Sequence, residues 1–355
     1  MPSIPHSRPF IHPDDMKAVA EVVASGMLIG GGKVPAFERA LAGYICLPCA
    51  AAVSSGTAAL YLALRALGIG PGDRVVIPAY VCTAVLHSVA MTGAEPSLAD
   101  CGDDGVHVDA ATVRRALDAR TRAVVFPHLF GAACDIRDIL ALGLPVIEDC
   151  AMSLGAERGG TKAGNLGSAA SVFSFHATKV IAAGEGGMVL SGDSALVARV
   201  RDLAEYSDKL DGILRFNFAM PEMTAALGLS QLERLPTMIA RRRELAARYT
   251  ASLTGAGLDL PAEEPGERRI FYRYIVRSDR TEALRTSLRD RGIRAERPVF
   301  APLSRIPGMT AECPGAERAW EQSLSLPLYP ALTEAEAETV VREVRECSMS
   351  LGRAR

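Results

Sequence analysis

Lys179 stands in Ser-Val-Phe-Ser-Phe-His-Ala-Thr-Lys-Val-Ile-Ala-Ala-Gly-Glu-Gly-Gly-Met-Val, residues 171–189. Thirty positions upstream, the apolar run Leu144-Pro145-Val146-Ile147 ends in Glu148-Asp149-Cys150. A lysine in a glycine-punctuated turn and an acid at the end of an earlier buried strand are the pair that pyridoxal phosphate chemistry needs. The amine forms a Schiff base, and the carboxylate keeps the pyridine nitrogen protonated so that the ring accepts electrons. Alone, each reads as a surface lysine or a strand-end acid. A third piece joins them at Ser54-Ser55-Gly56-Thr57-Ala58-Ala59-Leu60, where small hydroxyl residues and a glycine lead into a strong helix former. The first turn of such a helix leaves N–H groups free at the positive end of its dipole, which suits a phosphate. The same pattern is an ordinary N-cap. No Gly-Lys-Ser/Thr follows, so it is not a nucleotide loop, and Gly68-Ile69-Gly70-Pro71-Gly72 follows a helix and reads as a turn rather than a dinucleotide fingerprint.

The elements that would position these residues alternate. Helices are expected at Pro13–Ser25 and 34–44. Helix 57–67, strand 73–78, helix 83–91, strand 95–99, helix 109–118, strand 123–127, helix 136–142 and strand 145–148 follow. Short strands alternating with helices indicate an α/β fold with a mostly parallel sheet covered on both faces. Ligands collect at the carboxyl ends of such strands, where Pro78, His128 and Asp149 fall. After Ala219 two long helices are expected, 221–235 and 237–253, with Arg241-Arg242-Arg243 as a solvated face. A Pro/Gly/Glu-rich loop (260–268), strand 270–276, helix 281–291, strand 294–297 and helix 334–347 would complete a smaller α+β domain. The division expected is 1–235 for the large cofactor-binding domain with its N-terminal arm and 236–355 for the small C-terminal one.

A chain of 355 residues is long enough for that division. A net charge of −2 argues against nucleic acid or a membrane surface as its main partner. No apolar run approaches the ~20 residues of a membrane helix and no signal peptide is read, so a soluble, cytoplasmic protein is expected. The eight cysteines are scattered. Cys46-Leu47-Pro48-Cys49 lacks a second pair to complete a zinc site, so reduced thiols and no metal are expected.

Assembled in order, these residues resemble the DegT/StrS-type aminotransferases, enzymes of the fold-type-I, aspartate-aminotransferase-like class. The resemblance spans nearly the whole chain. It runs through Ser55-Gly56-Thr57-Ala58-Ala59-Leu60, Gly70-Pro71-Gly72-Asp73, His128-Leu129-Phe130-Gly131, Glu148-Asp149 and Phe173-Ser174-Phe175 with Lys179. It continues through Gly184-Glu185-Gly186-Gly187, Asn217, Glu222, Gln231-Leu232-Glu233 and Leu326-Pro327-Leu328-Tyr329-Pro330. It implies a pyridoxal 5′-phosphate enzyme that moves an amino group from glutamate or glutamine to a keto-sugar, nucleotide-linked, or a related cyclic ketone, in amino-sugar or natural-product biosynthesis. Lys179 would be the Schiff-base lysine and proton shuttle, and Asp149 the partner of the ring nitrogen. Ser55, Gly56, Thr57, Ala58 and Ser174 would hold phosphate. Asn217 would reach the phosphate of a neighbouring subunit, making a homodimer with shared sites. Three positions depart from the family pattern. Met152 stands where Gln or His usually approaches the phenolic oxygen, Cys82 where an aromatic ring usually stacks on the pyridine, and Ala219 where arginine is frequent. Tyr80 or His128 would replace the missing stack. His176 and Glu185 are candidates for the cofactor pocket and a polar substrate group, or for bracing the turn. Arg215, Arg273, Arg294 and Arg297 are candidates for a diphosphate, or surface and ion-pair residues. Sugar dehydration or another elimination is the alternative chemistry, disfavoured because the family's dehydratases lack the lysine. A non-catalytic regulatory protein is the alternative of another class.

Overall fold

The computed structural model describes residues 3–353. Helix α1 (Pro13–Ser25) has proline in its first turn and stops at Gly26, whose φ of 71° is left-handed. Helix α2 (Lys33–Ile45) follows and buries Phe37, Leu41 and Ile45. The alternating region is β1 (Cys49–Val53), α3 (Gly56–Ala66), β2 (Arg74–Pro78), α4 (Thr83–Met91), β3 (Glu95–Ala99), α5 (Ala110–Ala116), β4 (Thr121–Pro127), α6 (Arg137–Leu140) and β5 (Val146–Asp149). Two-residue strands β6 (Glu157–Arg158) and β7 (Thr161–Lys162) precede β8 (Ala170–Ser174), β9 (Gly187–Ser191) and α7 (Ser194–Ala204).

Seven of these strands form one sheet in the order β1-β9-β8-β5-β4-β2-β3. The pairs from β3 to β8 are parallel, and β9 runs against both its neighbours. Side chains alternate between faces along each strand. Ala51, Val53, Val172 and Val189 enter one core with α3 and α7, while Ala50, Ala52, Phe173, Met188 and Leu190 enter another with α2. Both faces are therefore covered, as expected for this α/β sheet.

The rest of the chain is α8 (Glu222–Glu233), α9 (Leu235–Leu253), β10 (Glu267–Arg268), β11 (Tyr274–Arg277), α10 (Thr281–Asp290), α11 (Pro314–Gln322), β12 (Ser323–Leu326) and α12 (Glu334–Arg353). Strands β11 and β12 pair antiparallel over a core of Leu245, Tyr249, Tyr274, Val276, Leu324, Leu326, Val340 and Val344. Ile4 of the N-terminal arm joins that core and exchanges backbone hydrogen bonds with Gly292 and Arg294.

Three expectations need correction. The strand expected over 270–276 begins only at Tyr274, because Phe271 adopts φ 50° and the N–H of Ile270 turns to the Gly131 carbonyl, 2.9 Å. Residues 294–297 form no strand beyond one bridge, Glu296 to Ser325. The arginine triplet is not a solvated face. Arg242 is buried and donates to the carbonyls of Tyr272 and Leu328, Arg241 pairs with Glu334, and Arg243 with Glu263. An aliphatic stem that packs while the head finds carbonyls makes this possible, and three consecutive charges do not reveal it.

Candidate active site

Helix α3 starts at the carboxyl edge of the sheet. Ser55 is its N-cap, extended at φ −161° and ψ 162°, and its Oγ accepts the Ala58 N–H at 3.1 Å. The N–H groups of Gly56 and Thr57 have no acceptor in the preceding turn of a helix. Two glycines make this start a concavity. A Cβ on Gly56 would lie 2.8 Å from Ser174 Cβ, and one on Gly187 would lie 2.3 Å from the Ser55 carbonyl oxygen. Only residues without side chains let β9 and Ser174 come this close to the helix start.

Lys179 follows β8 in a loop closed by its own backbone. Phe175 N–H donates to Gly186 O (2.9 Å), Ala177 N–H to Gly184 O (2.9 Å) and Lys179 N–H to His176 O (2.8 Å). Gly184 and Gly186 have φ of 83° and 140°, values that a side chain would strain. From α8, Gln231 Oε1 accepts the Ala182 N–H at 2.9 Å and ties the loop to the core. The Lys179 Nζ lies 5.7 Å from the centre of the Tyr272 ring. Tyr272 is brought there by a clasp between two turns, at Phe130 (φ 60°) and Phe271 (φ 50°): a Cβ on Gly131 would lie 2.5 Å from Tyr272 N.

Asp149 ends β5 between Pro127 of β4 and Val172 of β8. It is 8 % exposed, and its Oδ1 accepts the Ala151 N–H at 3.0 Å. Burial pushes its carboxyl above the usual carboxylate range, countered by that N–H and by the Lys179 charge. Its neighbour Glu148 points to the other face, as strand alternation requires. Glu148 accepts from His128 Nε2 (3.0 Å), Gly164 N–H (2.7 Å), Leu166 N–H (3.1 Å) and Ser168 Oγ (2.6 Å). Burial alone would raise its pKa, but these donors outweigh it and hold the carboxyl below the ordinary value. Adjacent acids thus divide the work: one anchors the strand end and the other faces the cleft.

Thr57 and Ala58 lie in the first turn of α3, as expected. Met152, already set apart in the sequence as a departure from Gln or His, is half-buried between the two cores on either side of the sheet. Cys82 is exposed at the start of α4. Tyr80 and His128, named as substitutes for the missing ring stack, are enclosed. Tyr80 packs edge-on to Phe130, and His128 is held between Glu148 and the Cys134 N–H, so neither presents a free face. His176 is exposed, with Nδ1 3.0 Å from Thr178 Oγ1 and Nε2 3.8 Å from Glu185 Oε1, an arrangement that braces the lysine loop. Arg215 is paired with Asp202 and Asp211. Asn217 is exposed, between Phe216 and Phe218, which stack on each other and meet Tyr61 edge-on. The sequence reading gave Gly187, Gln231 and Glu148 no separate roles, although all three stand in its motifs. Tyr272 and Arg242 carried no signal beyond their residue types.

Helix start, buried carboxylate and looped lysine match the three polar ends of pyridoxal phosphate: phosphate, ring nitrogen and carbonyl. The model of the DegT/DnrJ/EryC1/StrS aminotransferase family matches residues 9–345. GDP-perosamine synthase of Caulobacter vibrioides is 34 % identical, over 96 % of this chain and 97 % of its own. The dTDP-3-amino-3,4,6-trideoxy-alpha-D-glucose transaminase of Streptomyces venezuelae is 35 % identical, over 93 % and 90 %. The crystal structure of S. venezuelae DesV, in complex with a ketimine intermediate, superposes with a TM-score of 0.91 at 33 % identity, covering 98 % of this chain and 99 % of that one.

Proposed function

Because the chain belongs to the DegT/DnrJ/EryC1/StrS aminotransferase family, we propose that it is the pyridoxal phosphate-dependent transferase that moves an amino group from an α-amino acid, glutamate or glutamine, to the ketone of a nucleotide-linked sugar. The observation that carries this reading is the convergence of Lys179, Asp149 and the glycine-lined start of α3 on one edge of the sheet. Relatives named for GDP- and dTDP-linked amino sugars support the acceptor class.

When bound, the cofactor supplies the electron sink and carries the nitrogen between two half-reactions. The free N–H groups of Gly56 and Thr57, with the Ser174 hydroxyl, would hold its phosphate at the positive end of α3. Asp149 would accept a hydrogen bond from its ring nitrogen, and a cationic partner there would offset the burial that raises this carboxyl's pKa. Lys179 Nζ would hold its carbonyl end, and the same amine would be the group that moves a proton at the substrate carbon. Gln231 and the glycine turn keep that amine in place.

The active unit we propose is a homodimer. Leu210, Ile213 and Leu214 are exposed beside Asn217, and Met27, Leu28 and Ile29 beside α1, more apolar surface than a lone chain favours. Asn217 would then reach a neighbour's phosphate. Eight free thiols suit a reducing, cytoplasmic compartment, and no described helix is long and apolar enough to cross a membrane. The division into domains at residue 235 is proposed on the separate core around β11 and β12.

The test is spectroscopic. The purified enzyme with pyridoxal phosphate gives a visible band that L-glutamate bleaches, and a nucleotide-linked keto-sugar restores it. The Lys179→Ala variant folds but never shows the lysine-bound band. A wild-type band that no amino acid bleaches refutes the transferase reading in favour of elimination.

A further inference from the structure

Four arginines stood open as anion ligands, and the structure separates them. Arg215 is neutralised by two aspartates. Arg297 pairs with Glu282, donates to the Trp320 and Glu321 carbonyls, and lies over the Trp320 ring. Arg294 is exposed, with its backbone tied to the N-terminal arm. Arg273 is different. Its guanidinium lies 4.6 Å from the centre of the Tyr272 ring, and its Nη2 lies 3.4 Å from the Tyr272 hydroxyl, its one side-chain hydrogen bond among the described residues.

The same ring has Lys179 Nζ at 5.7 Å and the buried Arg242 guanidinium at 5.9 Å. Three cations therefore surround one phenol. Neither Arg242 nor Arg273 makes an ion pair with a carboxylate among the described residues: Arg242 uses carbonyls, and Arg273 uses the phenol. Crowding by Arg273 adds to burial in pushing the Arg242 pKa down, to about 10. His6, also beside Arg273, is driven neutral by burial and by that arginine, and it bonds to Ser325 Oγ at 2.8 Å. It neither compensates the charge nor competes for it. Arg273 is half-buried, so its cation is partly desolvated, and the Tyr272 face holds its plane in a fixed direction.

We propose that Arg273 binds the α-carboxylate of the amino donor, which deepens the transferase reading above and rests on it. An α-amino acid carries its carboxylate on the carbon that bears the reacting nitrogen, so the carboxylate must be received beside the lysine amine. Arg273 and Lys179 share one ring as a common neighbour. A nucleotide-linked sugar puts its diphosphate a sugar ring away from the ketone carbon. A planar fork of donors meets a carboxylate with two parallel hydrogen bonds, which also fixes the orientation of the α-carbon.

The experiment compares wild type, Arg273→Gln and Arg273→Lys as pyridoxal phosphate-loaded enzymes. Glutarate, which carries the carboxylates without the amine, is titrated by calorimetry. Bleaching of the visible band by L-glutamate gives the first half-reaction, and its recovery with a nucleotide-linked keto-sugar gives the second. The expected result is that Arg273→Gln weakens glutarate and raises the half-saturating glutamate concentration by about 10- to 100-fold, the range of a hydrogen-bonded charge. The second half-reaction is unchanged, and Arg273→Lys recovers part of the loss. An unchanged glutarate affinity overturns the proposal. So does a loss confined to the keto-sugar half-reaction, which would assign Arg273 to the diphosphate. A visible band and melting temperature like those of wild type exclude misfolding. If wild type is bleached by no amino acid, the transferase reading fails, while glutarate still decides Arg273.

Discussion

Gly56→Ala separates a phosphate cradle from an ordinary helix start. Gly56 is the first residue of α3 and does not have a positive φ, so alanine is sterically allowed by the backbone. On helix propensity alone alanine would stabilise the protein by up to about 1 kcal/mol. The new Cβ, however, would sit 2.8 Å from Ser174 Cβ and 3.0 Å from Ser174 Oγ, where ordinary contacts are 3.4–4 Å. Ser174 must retreat by roughly half an ångström or rotate, and such overpacking costs about 1–3 kcal/mol. Overpacking therefore matches or outweighs propensity, by up to about 2 kcal/mol, so the cofactor-free protein should melt at or a few degrees below wild type. The cofactor has no such compensation. Losing one hydrogen bond to a charged phosphate costs about 1.5–3 kcal/mol, a 10- to 150-fold weaker dissociation constant. Apo protein would be titrated with pyridoxal phosphate, following its absorbance, beside a thermal melt of the apo form. An alanine variant that melts higher and binds the cofactor as tightly as wild type would refute the cradle.

Asp149→Asn removes a carboxyl that burial disfavours in charged form, so apo stability should hold or rise while amino transfer falls by about two orders of magnitude or more; calorimetric melts and stopped-flow bleaching measure the two. Glu148 has a folded pKa below its unfolded value, so its stabilising contribution is present above the ordinary carboxylate pKa and is lost as pH falls through the folded one. Replacing it with glutamine should cost about 1–3 kcal/mol near neutral pH and flatten that acid limb, read from urea melts between pH 3 and 7, by about the cost of an unsatisfied buried donor set. Mixing Lys179→Ala and Asn217→Ala protomers, refolded together, should restore about a quarter of wild-type activity, because half the dimers are mixed and each has one intact site. An inactive Asn217→Ala enzyme with no recovery on mixing would place Asn217 in its own subunit's site, and an active one would place it outside any.

The chemistry was legible because its residue types are scarce in combination. A lysine in a turn of glycines, an acid closing an apolar run and a small-residue helix start are local patterns. Each depends on backbone geometry that nearby residues set: positive φ at Gly184 and Gly186, an extended N-cap at Ser55, a strand end at Asp149. The parallel sheet followed from the same local rhythm of short β-branched runs and alanine-rich helices. The sequence by itself therefore determined the cofactor and the class of fold, and it singled out the lysine proposed to hold that cofactor. What it left open depends on segments far apart in the chain. Phe271 turns away from the strand because the Gly131 turn docks against it, so the strand expected from residue 270 starts at Tyr274. Arg242 is buried because carbonyls of residues 272 and 328 converge on it, and no pattern in Arg241-Arg242-Arg243 distinguishes the middle residue. Tyr80 and His128 are types suited to stacking, yet packing encloses them. Arg215 has its partner Asp211 four positions away, but for Arg273 and Arg297 only the fold decides: a charge is free or paired according to what the tertiary structure brings within 4 Å.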